Sequence, residues 1–577
     1  MAYAAVTSLM RTIHQSMELT GCDLQPFYEK LKSLRAILEK SCNIMGDHEG
    51  LTILEVEIAE VAYTTEDMVD SESRNVFLAQ NLEERSRAMW EIFFVLEQAL
   101  EYIDSTVKQW MAASDSMKDL KPQTSSLVSL PEHMRLMNFD ESWNLLHKKI
   151  FEKEGSYSPE FENIGKQIAL KCGGLPLEIT LIAGLLSKIS KTLDEWQNVA
   201  ENVSSVVSRD LEAKCMRVLA LSYHHLPSHL KPCFLYFAIF AEDERIYVNA
   251  LVELWAVEGF LNEEEGKSIE EVAETCINEL VDRSLISIHN LSFDGEIERC
   301  GMHDVIRELC LREARNMNFV NVIRGKSDQN SCAQSMQCSF KSRSRISIYK
   351  KEELAWCRNS EAHSIIMLGG LKCFTLELSF KLVRVLDLGL NIYPIFPSGV
   401  LSLIHLRYLS LCFYPCLKQY RGSLKAVPSS IIDIPLSISS LCYLQTFKFN
   451  FPFRDCAYPF ILPSEILTMP QLRKLCMGWN YLQSHEPTEN RLVLKSLQCL
   501  NQLNPWYCTG SFFRLFPNLK KLKVFGVPED FRNHKDLYDF RYLYQLEKLV
   551  FDTVTTDEDD DDDDFEKEVA SCRNNDK

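Results

Sequence analysis

Two short segments of this 577-residue chain are the candidates for contact with a ligand. In the first, GLPL at 174–177, Pro176 would stand in the first turn of an apolar helix, where its missing N–H costs no hydrogen bond. The second, GMHD at 301–304, opens an amphipathic helix whose free N–H groups favour an anion. His303 could donate a hydrogen bond to a phosphate oxygen, and Asp304 could complement the helix dipole. Each segment also has a simpler interpretation, a helix-loop-helix corner for the first and a helix N-cap without a ligand for the second.

The residues that would hold a triphosphate are missing from the sequence. No stretch reads GxxxxGK[ST], and no apolar strand ends in paired aspartates. The GxxxxGK[ST] pattern is that of a phosphate-binding loop, which normally supplies the backbone N–H groups, the lysine and the magnesium-binding hydroxyl of a nucleotide site. We therefore expect no enzymatic activity, and the pattern indicates no metal site.

Composition restricts the classes of partner. The 62 basic and 81 acidic residues give a formal net charge of -19, which disfavours nucleic acid and anionic lipid as partners. The 20 cysteines show no CxxC pair, as expected for reduced thiols of a cytoplasmic protein. The N-terminal segment has no sustained apolar stretch of the secretory kind, and no apolar run is long enough to span a membrane.

The N-terminal part of the chain is helical in pattern and carries a short acidic segment. Apolar residues from Leu51 to Met68 recur at a spacing of three and four, which predicts a helix packed along its length against others. Glu66, Asp67 and Asp70 lie on the flank of this seam. From spacing alone, a solvated acidic face is the simpler interpretation and a paired surface the alternative.

Helices continue in the middle of the chain. Asn138 and the acidic residues after it predict a helix start, and Gly173 and Gly174 predict the end of the next helix. Residues 214–325 combine helices with short strand-like segments and fit a winged-helix module. Because this module is rich in Glu and Asp and has no basic recognition helix, we do not expect it to read DNA.

The C-terminal part repeats the pattern LxxLxL at intervals typical of leucine-rich repeats, one short strand per turn of a solenoid. Arg384, Arg407 and Arg473 each follow the first apolar residue of a repeat and should form an arginine ladder on the concave, protein-binding face. The acidic run at 557–564 predicts a disordered tail. The predicted repeat triplets are Val383-Leu386-Leu388, Leu406-Leu409-Leu411, Leu444-Phe447-Phe449, Leu472-Leu475-Met477, Leu494-Leu497-Cys499, Leu519-Leu522-Val524 and Leu546-Leu549-Phe551.

The predicted fold class is multidomain, mainly α with an α/β repeat part. The predicted domains are a coiled-coil helical domain (1–115), a linker at the site of a missing nucleotide-binding core (116–132), a remnant of that core with a helical subdomain (133–213), a winged-helix subdomain (214–325), leucine-rich repeats (340–551) and an acidic tail (552–577).

In this order the motifs resemble those of plant coiled-coil NB-ARC leucine-rich-repeat disease-resistance proteins, in particular the late-blight resistance group of nightshades. The segment EDMVD at 66–70 is similar to the acidic motif of the family's coiled-coil domain, GLPL at 174–177 to the first ARC motif, and MHD at 302–304 to the phosphate-sensing triplet. Most of the family's parallel-sheet nucleotide domain is missing between residues 123 and 133.

The resemblance implies an ADP/ATP switch that acts in defence and hypersensitive cell death. Leu175, Pro176 and His303 would then contact the nucleotide, weakly without the phosphate loop, and Asp304 would hold the inactive state. Glu66, Asp67 and Asp70 would pair with Arg384, Arg407 and Arg473 inside the same molecule.

The resemblance also implies partners and a location. The repeats would bind a pathogen effector or a guarded host protein, and the coiled-coil domain would bind other such domains or itself. The location would be cytoplasmic, with peripheral membrane association as an alternative. A nucleotide-independent adaptor, decoy or dominant-negative protein built from the same domains is the competing function.

Overall fold

The structure is a computed structural model, and it describes part of the chain. The described residues are 1–41, 49–116, 136–151, 158–204, 211–261, 266–292, 295–323, 345–348, 362–368, 382–393, 395–413, 418–420, 423–425, 432–450, 459–461, 463–476, 481–482, 493–526, 531 and 539–553. The predicted linker (116–132) and the predicted tail (552–577) lie outside them, except for Ser116, which ends a helix, and residues 552–553, which end a strand.

Contacts divide the chain into two compact units, each built from several segments. The first unit contains residues 1–17, 23–66 and 93–320, and the second contains residues 18–22, 67–92 and 321–577.

Four long helices begin the chain: α1 (Ala2–Thr20), α2 (Gln25–Ser41), α3 (Glu49–Leu78) and α4 (Leu82–Ser116). Residues 2–13 of α1 are buried on every side, because small residues dominate and its hydroxyl side chains find acceptors. In α3 the predicted apolar seam is only partly right. Ile58 is fully buried, but Met68 is 46% exposed, and Glu66, Asp67 and Asp70 are buried in its place.

Five helices follow, and local sequence accounts for their ends. Asn138 and Glu141 form a reciprocal capping box at the start of α5. Gly173 and Gly174 have φ values of 64° and 81° at the turn after α6, where the N–H of Met137 donates to the carbonyl of Gly174 at 2.9 Å. The five helices are α5 (Phe139–Ile150), α6 (Pro159–Lys171), α7 (Pro176–Leu186), α8 (Leu193–Ser204) and α9 (Leu211–His224).

The next elements form a helical module with a small antiparallel sheet of order β1-β3-β2. The module agrees with the predicted winged helix. Ser268 and Glu271 form a second capping box at the start of α12, and Gly259 ends α11 with a left-handed φ of 78°. Its elements are α10 (Leu230–Leu235), β1 (Ile246–Tyr247), α11 (Val248–Glu258), α12 (Ile269–Asp282), β2 (Ser287–Leu291), β3 (Ile297–Gly301) and α13 (Asp304–Asn316).

The C-terminal part is a parallel β-solenoid. Its main sheet has the order β18-β17-β16-β14-β12-β8-β7-β6-β5-β4, and the apolar residues of the repeats form one continuous core. The main-sheet strands are β4 (Val320–Ile323), β5 (Arg345–Ile348), β6 (Ser364–Met367), β7 (Val385–Tyr393), β8 (Tyr408–Phe413), β12 (Thr446–Asn450), β14 (Lys474–Cys476), β16 (Cys499–Leu503), β17 (Lys521–Gly526) and β18 (Lys548–Thr553). Further short elements are β9 (Lys418–Tyr420), β10 (Ser423–Lys425), β11 (Ile432–Asp433), β13 (Pro459–Ile461), β15 (Tyr481–Leu482) and a one-turn helix α14 (Gly510–Phe513).

One predicted repeat has the wrong register. Leu475 pairs with Leu500 and Cys499 pairs with Lys474, so the triplet that begins at Leu494 is displaced by three residues. The correct repeat begins at Leu497. A register irregularity between residues 500 and 503 explains why its spacing deviates from LxxLxL.

The described residues contain no helix long and apolar enough to cross a membrane. Among those same residues, no group of three or more His, Cys, Asp or Glu side chains is arranged to hold a metal ion.

Candidate functional site

Backbone hydrogen bonds align one position of each repeat into a column. The N–H of Arg384 donates to the carbonyl of His363 at 2.7 Å, and the N–H of Arg407 donates to that of Arg384 at 2.7 Å. The same relation continues at each later repeat, one residue before the strand. This first column consists of His363, Arg384, Arg407, Gln445, Arg473, Gln498, Lys520 and Glu547.

Asp67 of α3 lies at the N-terminal end of the first column. The guanidinium of Arg384 donates to Asp67 Oδ1, and His363 Nε2 lies 3.3 Å from Asp67 Oδ2. All three side chains are buried. Burial alone would raise the pKa of Asp67, but Arg384 and then His363 outweigh it and hold that pKa well below its usual range. Asp67 is therefore ionised at every physiological pH.

Asp70 makes the equivalent contact one repeat further on. The Nη2 of Arg407 donates to Asp70 Oδ2 at 2.7 Å, and these side chains are 0% and 1% exposed. The Tyr443 hydroxyl donates to the backbone carbonyl of Asp70 at 2.6 Å, and His405 Nδ1 lies 3.9 Å from the carboxylate. Burial alone would raise the pKa of Asp70, but Arg407 outweighs it and the pKa is lowered.

Both ion pairs are buried, and this determines what they can do. The attraction between buried charges is largely offset by the loss of their hydration, so such a pair adds little net stability. Removing one partner is different, because it strands the other charge away from water at a cost of about 3–5 kcal/mol. The arrangement suits a contact that is specific when complete and unfavourable when half-formed. We call the contact of Asp67 and Asp70 with Arg384 and Arg407 the acid–arginine latch.

Glu66 does not take part in the latch. Its Oε1 accepts hydrogen bonds from the hydroxyls of Ser8 at 2.9 Å and Thr12 at 2.8 Å, two α1 residues one helical turn apart. The Glu66 side chain is fully buried. The acidic segment of α3 thus has one carboxylate that binds α1 and two that bind arginines of the repeats.

Arg473 shares the first column but not the contact. Gln445 lies between it and Arg407, so the predicted arginine ladder is interrupted. Arg473 is half-buried, and no carboxylate among the described residues pairs with it. Its predicted role in binding the acidic segment stays a prediction.

The predicted nucleotide residues lie at two helix starts. Leu175 is the N-cap of α7, and Pro176 is its first residue and is exposed. His303 is the N-cap of α13, and its Nδ1 lies against Asp304 Oδ1 in an exposed pair. The Asp304 carboxylate also accepts the N–H of Val305 at 2.7 Å. The His303 Nδ1 accepts the same N–H at 3.4 Å, so the helix-capping interpretation accounts for both His303 and Asp304. Nucleotide contact by these residues stays a prediction.

The sequence did not predict three residues that surround the latch: His363, His405 and Tyr443. His363 belongs to a repeat with alanine at its first apolar position, and the spacing Ala362, Ile365, Met367 was the signal that could have revealed it. His405 and Tyr443 each immediately precede the first leucine of a repeat, a position to which the leucine pattern assigns no role.

Comparisons with known proteins agree with this architecture. Residues 239–310 match the family described as Disease resistance protein Winged helix domain. The putative late blight resistance protein homolog R1B-16 of Solanum demissum is 32% identical over an alignment that covers 69% of this chain and 30% of that protein. Late blight resistance protein R1-A of the same plant is 33% identical, with the same two coverages. The chain thus spans about a third of the length of the relatives it matches.

A helical part, a winged helix and a parallel solenoid joined in this order define a multidomain protein with a disease-resistance winged-helix domain. Late blight resistance proteins of Solanum demissum are thus homologues of this chain, which confirms the resemblance predicted from its motifs. The names of these two relatives describe resistance, and neither name mentions a catalysed reaction.

Proposed function

We propose that this chain acts in plant disease resistance, as a cytoplasmic immune receptor whose resting state is held by the acid–arginine latch. The observation that carries the proposal is the paired burial of Asp67 with Arg384 and of Asp70 with Arg407 in a homologue of late blight resistance proteins. Two buried charge pairs that are costly to half-open are suited to an all-or-none contact.

The proposed signal is release of the α3 segment from the repeats. A partner protein that competes for the first column, a pathogen effector or a guarded host protein, would expose four charges at once. Rehydration of these charges offsets the lost attraction, so the complete opening costs less than breaking one pair alone. The freed helical domain would then bind another copy or another coiled-coil domain and initiate hypersensitive cell death.

Nucleotide is a secondary element of this proposal. Leu175, Pro176 and His303 would touch ADP or ATP, and Asp304 would favour the resting state. The sequence offers no phosphate loop to hold the triphosphate. We therefore propose a switch in which the latch dominates and the nucleotide contributes little.

The test is charge reversal in the full chain expressed in leaves. Asp70→Lys should release the latch and cause cell death, because the new ammonium group would face the buried Arg407. Combining it with Arg407→Glu should restore the pair and suppress the death. His303→Ala should leave the response at the level of the unmodified chain. Cell death that is the same in the single and the paired variant would refute the latch.

The second candidate is a nucleotide-independent adaptor, decoy or dominant-negative protein, favoured by the missing phosphate loop. Nucleotide released from purified, denatured protein and quantified by ion-exchange chromatography separates the two. Near-stoichiometric ADP supports a switch. A folded preparation without nucleotide, together with silent latch variants, supports the adaptor.

A further inference from the structure

The last repeats present a basic surface on the sheet. Two sets of positions contribute to this surface: the first column, and the strand residues that alternate with the buried leucines. Together they include six basic and two acidic residues. The basic residues are Arg473, Lys474, Lys520, Lys521, Lys523 and Lys548, and the acidic ones are Glu547 and Asp552. We call these eight residues the basic sheet face. In a chain of net charge -19, such a surface needs an explanation.

The two acidic residues neutralise only part of this face. Lys520 pairs with Glu547 at 3.0 Å, and Lys523 pairs with Asp552 at 2.8 Å. Lys521 lies between these two pairs and has no ion pair among the described residues. With six basic and two acidic side chains, the composition of this face suits an acidic ligand.

The first column already binds carboxylates elsewhere in the solenoid. At β7 and β8 the first-column residues Arg384 and Arg407 receive Asp67 and Asp70. The chemistry of the face over β14 to β18 is equivalent, with more charge and more exposure to solvent. An acidic peptide is thus the ligand that the geometry favours.

We propose that the basic sheet face binds the acidic run Asp557–Asp564 of this same chain. The run consists of eight consecutive acidic residues and begins four residues after β18 ends at Thr553. It lies outside the described residues, so its binding is inferred from charge and reach. This inference is independent of the proposed function, because it needs neither the latch nor nucleotide.

The run is long enough to reach the face. Strand β18 extends over about 17 Å from Lys548 to Thr553, and the three strand spacings from β18 to β14 amount to about 14 Å. The diagonal return from Thr553 to Lys474 is therefore about 22 Å. An extended chain covers this with about seven residues, so the aspartates from Asp560 onward reach every part of the face.

A zero-length carbodiimide cross-link in the full chain tests the proposal directly. It joins a lysine amine to a carboxylate only where the two touch. Cross-links should connect the run 557–564 with Lys474, Lys521 or Lys548, and should disappear at about 1 M salt, where the Debye length is about 3 Å. An equal mixture of ¹⁴N and ¹⁵N protein should give cross-links within one isotope only. Cross-links of which about half join the two isotopes, as random pairing of an equal mixture requires, would assign the face to a second copy and overturn the proposal.

Binding in trans provides an independent measurement. A labelled peptide of residues 554–567 should bind a full-chain variant in which Asp559–Asp564 are all Asn. It should bind the unmodified chain about tenfold more weakly, because a tethered run competes at a millimolar effective concentration. Equal binding to both chains, or binding to neither, would overturn the proposal.

Charge variants locate the site. Adding Lys521→Glu to the neutralised chain should abolish peptide binding, whereas Lys495→Glu changes the same charge at an exposed position between strands and should leave it unchanged. Equal effects of both variants would show long-range attraction without a site. Tighter binding of a single-stranded oligonucleotide than of the peptide would assign the face to nucleic acid instead.

Discussion

Arg407→Met tests the latch most directly. The change removes the guanidinium that lies 2.7 Å from the Asp70 carboxylate and leaves that carboxylate 1% exposed without its main partner. A buried charge stranded in this way costs about 3–5 kcal/mol. At 1.36 kcal/mol per factor of ten, the α3 segment should open about 10² to 10⁴ times more often.

Hydrogen exchange of the full chain, read by mass spectrometry on peptides that cover residues 67–78, measures this opening. Exchange reports the local equilibrium and does not require two-state unfolding of a multidomain protein. Protection in this segment should fall by two or more orders of magnitude in Arg407→Met, while peptides from α11 and α12 keep theirs.

Two further variants make the result decisive. The double variant Asp70→Leu with Arg407→Met replaces both partners. Its opening free energy should lie within about 1 kcal/mol of that of the unmodified chain, because an apolar pair of similar volume substitutes well for a buried ion pair. Arg473→Met is the matched control, since this arginine shares the first column but has no described carboxylate partner, and its loss should cost about 0.5 kcal/mol or less. Equal effects of Arg407→Met and Arg473→Met, or a double variant as open as the single one, would refute the reasoning.

Three more outcomes are expected. Because the pKa of Asp67 lies below the ordinary value near 3.9, the stabilisation that its carboxylate contributes is complete above that pH and is lost as the pH falls through the lowered pKa. Protection of its segment, corrected for intrinsic exchange, should therefore decrease below about pH 4. Gly259→Ala should destabilise the fold by about 2 kcal/mol in calorimetry, because its φ is 78° and a Cβ would lie 2.8 Å from Ser8 Oγ, whereas Gly266→Ala, with a φ of 81° and open space, should cost about half as much or less. Burial raises the pKa of Cys300 to about 12, so iodoacetamide at pH 8 should modify it only after denaturation.

Much of the fold could be predicted because its periodicities are strong. The strands at Leu386, Leu409 and Leu522 follow from leucines that must point into one core. The repeat at Leu497 could not be read correctly, since an irregular spacing inside β16 offered two overlapping leucine patterns and only strand pairing distinguishes them. The repeat at Ala362 was missed because alanine fills the first core position without a leucine signal.

The candidate site was only partly predictable for a different reason. The arginine column follows from the repeat register, but whether a carboxylate faces solvent or a guanidinium depends on contacts remote in sequence. Glu66 and Asp67 are adjacent in the chain, yet one binds α1 hydroxyls and the other an arginine of the repeats. A helix directs neighbouring residues about 100° apart, so this division of partners follows once the helix is packed on both sides. The spacing of residues within α3 does not reveal which elements pack against each side of the helix.

The latch also depends on a match between two lengths. Three residues of an α-helix advance by about 4.5 Å, and neighbouring strands of a sheet are about 4.8 Å apart. Asp67 and Asp70 therefore contact the arginines that immediately precede the adjacent strands β7 and β8. Changes in loop length elsewhere in the solenoid leave this match intact, whereas one repeat inserted between β7 and β8 would abolish it.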